Sequence, residues 1–93
     1  MAEKIIYKYP IPIFGIGDFT IKFPFGGKVV HVDVDKKDEK PYIWVEFAQE
    51  DKDDLKEHDF RIAGTGHPFG TGKNTKPVGS FQQPPFVWHV YQL

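Results

Sequence analysis

The sequence predicts an all-β fold, a compact antiparallel β-sandwich or partly closed β-barrel of roughly six or seven short strands. Apolar residues alternate with polar ones at period two, as in Phe19, Ile21 and Phe23 around Thr20 and Lys22. Glycine and proline punctuate the chain between such stretches. The stretches are not separated by the long helical patterns that a βαβ fold requires.

Each element follows from its residues. Glu3 to Tyr9 repeats Ile and Tyr and stops at Pro10, where proline's missing donor and fixed φ end a first strand. Ile11 to Phe14 extends it as an edge segment, and Gly15 and Gly17 permit a turn into a strand over Asp18 to Phe23. Pro24 and Gly26-Gly27 place the next turn. Lys28 to Val34 carries the cleanest alternation, with Val30, Val32 and Val34 expected on one side and His31 and Asp33 on the other. A polar link, Asp35 to Lys40, leads into Pro41 to Ala48, where Ile43, Val45 and Phe47 oppose Tyr42, Trp44 and Glu46. These two runs are expected to pair as antiparallel neighbours.

Gln49 to Asp59 has too few apolar residues for a buried helical stripe and reads as mostly loop, its acidic run solvated. Asp59 to Ala63 reads as a short strand, and Gly64 to Lys76 as an irregular glycine-rich connection. Pro77 to Gln82 and Phe86 to Tyr91 close the chain as strands separated by Pro84-Pro85. The last run is bulky on both sides, which suits a central strand, a sandwich position or a covered edge.

With 93 residues the chain is long enough for one domain, 1–93, and too short for two. A core of this size leaves a modest stability margin, so homo-oligomer formation is an expectation. Cysteine is absent, which excludes a disulfide framework and cysteine-based zinc knots. No export signal or membrane span is visible, and a reducing cytoplasm is the expected compartment. Twelve Lys plus Arg balance 13 Asp plus Glu, which argues against general nucleic-acid binding.

The octad Arg61-Ile62-Ala63-Gly64-Thr65-Gly66-His67-Pro68 is the most distinctive stretch. Together with Tyr7-Lys8-Tyr9-Pro10, Gly79-Ser80-Phe81-Gln82 and Trp88-His89-Val90, it resembles a family of short proteins encoded by phages and prophage-bearing bacteria. The likeness runs in order along nearly the whole chain. It implies a single-domain phage accessory protein in the host cytoplasm, and it transfers no catalytic role to any residue.

Gly64, Gly66, Gly70 and Gly72 allow successive backbone N–H groups to approach an anion, with Arg61, Lys73 or Lys76 adding charge. The competing reading is that these glycines only build turns. The stretch is not a Walker A loop, since no Gly-Lys-Ser or Gly-Lys-Thr ending follows. Tyr7, Tyr9, Trp44, Phe81 and Trp88 are candidates for a flat surface facing a nucleobase, against the reading that they fill a core or subunit interface. The candidate ligand-binding residues are therefore Arg61, Gly64, Thr65, Gly66, His67, Lys73, Trp44 and Trp88.

Two chemical readings rank below binding. His31, His67 and His89 would have to converge for a metal-dependent hydrolase, yet no His-Glu-x-x-His spacing is present. A general base at His67 would need Thr65 or Ser80 as nucleophile and Asp59 or Asp33 as orienting acid, and no nucleophile motif links them. Phe14, Phe25, Phe69 and Phe86 are expected as exposed anchors if the chain binds protein. The sequence thus points to a non-enzymatic binding protein without cofactor or metal. Its expected partner is a host protein or a small anionic, nucleotide-like ligand, with a virion component as the alternative.

Overall fold

A computed structural model describes residues 3–13 and 15–93, so the expectations placed on Phe14 lie outside the described residues. Seven strands form: β1 (Lys4–Pro10), β2 (Gly17–Pro24), β3 (Lys28–Val34), β4 (Pro41–Ala48), β5 (Leu55–Gly64), β6 (Lys76–Gln83) and β7 (Phe86–Gln92). A single 3-10 turn at Gln49–Asp51 precedes β5. The strands make two antiparallel sheets, ordered β1-β4-β3 and β2-β5-β7-β6. They stack as a sandwich and do not close into a barrel. β3 and β4 are neighbours as the alternation requires, and the doubly bulky β7 is central in its sheet.

Period-two burial builds the interior. Phe23, Ile43, Val45, Phe60, Ile62 and Val90 have no exposed surface, and Phe19, Ile21, Phe47 and Phe81 are buried with them. Phe19 stacks on Phe60 at 5.1 Å, and Phe23 reaches across to Tyr9 of the other sheet at 5.9 Å. Burying each such side chain contributes about 1.5–3 kcal/mol. The exposed ion pairs, such as Lys4 with Glu46, contribute at most about 1 kcal/mol each.

Three sequence expectations are corrected. Leu55–Asp59 is not loop: it is the first half of β5, paired with Pro24–Thr20 of β2. The inward position there is His58, which lies flat on Phe23 with ring centroids 3.7 Å apart, so a polar residue supplies the apolar face that the pattern lacked. Val30 does not share a side with Val32 and Val34. A bulge between Val29 and His31 adds one residue, turning Val29 inward and leaving Val30 43% exposed. Gly64 and Lys76 are not loop residues either, being the last residue of β5 and the first of β6.

The sheets meet most closely where β6 crosses β3. Gly79 has φ +157°, and a Cβ there would lie 2.8 Å from Cβ and Cγ2 of Val32, so glycine is what allows the approach. Gly79→Ala should therefore destabilise the fold by about 1–3 kcal/mol through overpacking. Gly26→Ala, which meets no atom within 4 Å, should stay within about 0.5 kcal/mol of the parent. Urea unfolding of the two variants checks the contrast, and equal midpoints would refute it.

Candidate functional site

The glycine loop folds back on itself. Its first turn is closed by the His67 N–H donating to the Gly64 carbonyl at 3.1 Å, with Gly66 in the left-handed region at φ +82°. The second turn is closed by the Gly72 N–H donating to Thr75 Oγ1 at 2.7 Å and the Thr75 N–H donating to the Gly72 carbonyl at 3.2 Å. The Gly72 N–H, one of the donors a phosphate cradle would use, is thus engaged inside the loop, and Gly66 and Gly72 take part in its turns.

Arg61 serves the same loop. Its Nε and Nη2 donate to the two carboxylate oxygens of Asp18 at 2.7 and 2.8 Å, and Nη1 donates to the Gly70 carbonyl at 2.8 Å. Hydrogen bonding and charge from the guanidinium hold the Asp18 carboxyl below its ordinary range and push the Arg61 pKa up. Phe69 packs on Tyr91 at 4.8 Å beside this clip. Arg61 therefore fastens the loop across the outer face of the four-stranded sheet, with its charge already balanced by Asp18.

Four of the expected ligand residues, Gly64, Thr65, His67 and Trp88, do gather. With Pro85, Phe86 and Val87 they line a slot of about 210 Å³ at one end of the sandwich. Trp88 is fixed by its indole N–H donating to Gln83 Oε1 at 3.2 Å, and Phe86 stacks against it at 5.2 Å. A Cβ on Gly64 would come within 3.2 Å of His67 Nδ1 and 3.3 Å of Trp88 Cζ3, so the bare glycine forms the floor. No lysine or arginine lines this slot. Gly66 lies in the adjoining turn, Lys73 lines neither this slot nor the larger cleft below, and Trp44 is on the other sheet near His31 and Tyr42.

The expected aromatic surface does not form. Phe81 is buried and Tyr9 packs against the core, while Tyr7 stays 41% exposed with its ring edge-on to Phe47, so the five rings do not share one face. The catalytic groupings are likewise not assembled. Thr65 Oγ1 lies 2.7 Å from His89 Nε2, Asp59 accepts from Thr20, and His31 and Asp33 belong to the opposite sheet. Among the described residues no three His, Cys, Asp or Glu side chains are placed to hold a metal.

A larger cleft, of about 440 Å³, opens at the opposite ends of β5 and β7. It is lined by Phe25, Gly27, Lys28, Val29, His58, Lys76, Pro77, Val78 and Gln92. Lys28 begins β3 and Lys76 begins β6, and the edge-to-edge approach of those strands brings both to one opening. No carboxylate lines the cleft, and neither lysine belongs to an ion pair among the described residues. Sequence reasoning missed Lys28, His58 and Gln92 as site residues, because only the pairing of distant strands unites them. Lys76 had been assigned to the glycine loop and Phe25 to protein contact.

Residues 2–93 match the family described as a domain of unknown function, DUF7352. The chain belongs to that family. The DUF7352 match covers every strand of both sheets and both clefts. No curated protein and no solved structure matches the chain.

The clip in this DUF7352 chain has a clear test. Arg61→Gln should speed amide exchange across residues 68–72 with little loss of global stability, since Asp18 is about half exposed. Because the folded Asp18 carboxyl titrates below its unfolded value, the clip contributes fully above about pH 4 and fades as the pH falls below that. Hydrogen exchange unchanged by the substitution would refute this role.

Proposed function

We propose that this chain is a non-enzymatic binding protein whose principal site is the cleft between the β3 and β6 edges, and that its ligand is a small anion. The supporting observation is the lining itself: two lysines, no carboxylate, and a volume of about 440 Å³. Ligand clefts commonly measure about 300–1,000 Å³, a range that includes this cleft and excludes the 210 Å³ slot. The chain's net charge of −1 gives no general attraction for anions, so the local excess at Lys28 and Lys76 supplies it.

The physical logic is one of capture without chemistry. An anion entering the cleft meets two flexible ammonium groups and exchanges water for charge-assisted hydrogen bonds. No hydroxyl or thiol nucleophile lines it, and His58 Nε2 is engaged with the Phe23 carbonyl at 3.0 Å. The likeness to phage-encoded proteins suggests a use for such capture: withdrawing a host metabolite or signal by holding it. A second reading, a host-protein contact, is favoured at the opposite end, where Phe86 and Val87 are 54% and 38% exposed around the Trp88 slot.

Lys28→Gln and Lys76→Gln should each weaken binding of pyrophosphate about ten- to 150-fold, as expected for loss of a charged hydrogen bond worth roughly 1.5–3 kcal/mol. Isothermal titration with the parent and both variants measures this, and Arg61→Gln serves as a control that leaves pyrophosphate affinity unchanged. Absence of pyrophosphate binding to the parent, or equal loss in the Arg61 control, would overturn the proposal.

A further inference from the structure

Resting on that reading of the Lys28–Lys76 cleft, we infer that the anion it takes is a phosphorylated nucleoside, with the base laid on Phe25 and the phosphate held by the lysines. Phe25 is the most exposed of the large apolar side chains, at 79%. An isolated exposed phenylalanine on a loose loop would carry little meaning, but the backbone under this one is held in place. The Gly27 N–H donates to the Pro24 carbonyl at 2.8 Å, closing a tight turn over Phe25 and Gly26. Pro24 is fully buried, which anchors the turn's first residue.

Gly27 anchors the other side. A Cβ on it would lie 2.6 Å from Phe23 Cδ1, 2.8 Å from Val45 Cγ1 and 2.9 Å from the Pro24 carbonyl oxygen. Only a glycine lets the turn sit this low on the core, and the residue at its apex is thrown outward over the cleft mouth. The Phe25 ring is thus presented to solvent by a turn that is fixed at both ends. With the backbone already fixed, covering the ring with a flat ligand orders only this one side chain and not the loop that carries it.

The rest of the lining suits the same ligand. His58 adds a second planar ring, held parallel to Phe23 within 1°. Because a carbonyl only accepts, His58 Nε2–H donates to Phe23. The half-buried Gln92 contributes an amide that both donates and accepts, the equipment needed to meet the edge of a base. A phosphate alone would use Lys28 and Lys76 and leave Phe25, His58 and Gln92 without a role. A nucleotide uses all five.

Isothermal titration of the full chain with inorganic phosphate, ribose 5-phosphate, and adenosine, guanosine, cytidine and uridine monophosphates tests the inference. At least one nucleoside monophosphate should bind about tenfold or more tightly than ribose 5-phosphate, the increment expected from one base stacked on an aromatic ring. Phe25→Ala should erase that increment while leaving ribose 5-phosphate affinity unchanged, and Lys76→Gln should weaken every phosphate compound. Phe25 lies outside the core, so the variant's unfolding midpoint should match the parent's and its readout is interpretable. If nucleotides and ribose 5-phosphate bind equally, or if Phe25→Ala leaves the preference intact, the inference fails while anion capture stands. If no phosphate compound binds, or Lys76→Gln changes nothing, both fail.

Discussion

The Phe23 ring is where the two sheets become one body. It has no exposed surface, and it touches Tyr9 from the three-stranded sheet and Phe60 and His58 from its own. Close packing of this kind tolerates little change in volume, so the neighbours of Phe23 are constrained in turn. Gly27 must lack a side chain because Phe23 lies beneath it. His58 must lie flat because Phe23 offers it a flat partner. The wall, the floor and the projecting ring of the larger cleft are therefore consequences of how one phenylalanine is packed, and the lysines are additions to a shape the core already imposes.

The polar surface has a different organisation. Arg61 carries the most recognisable signature of a functional residue, an arginine beside a glycine-rich loop, yet all its contacts are internal. Lys28 carries no sequence signature, and Lys76 only its place at the end of the glycine-rich stretch; both are lysines at the starts of strands. What separates them is compensation. A guanidinium that is already doubly bonded to a carboxylate has little left to offer a ligand, whereas an ammonium beside a cleft without carboxylates gains from any anion that enters.

Much of the architecture was legible because its signal is local. Alternation in Phe19–Phe23 and Ile43–Phe47, with turns at Gly26-Gly27 and Pro84-Pro85, is enough to place strands to within a residue or two. The errors fall where a local pattern was broken by a contact from elsewhere. His58 takes an apolar position because Phe23 stacks on it, and Val30 leaves the core because one extra residue is accommodated in β3. The small slot was half legible, since Gly64, Thr65 and His67 are contiguous and needed only Trp88 to join them. The larger cleft was not, because β3 and β6 approach each other across the sandwich and no period within either strand announces that meeting.

β5 links the two indentations, with His58 lining one and Gly64 lining the other. Six steps along extended chain separate them, about 20 Å at the usual rise of 3.3 Å per residue. Between those two residues the strand is paired throughout, to β2 up to Ile62 and to β7 from Phe60, so it behaves as a spacer bar of set length. Two guests at its ends would be carried at one constant span and would not jostle for room. The span between the two indentations is thus a property of the fold and independent of what lines either one.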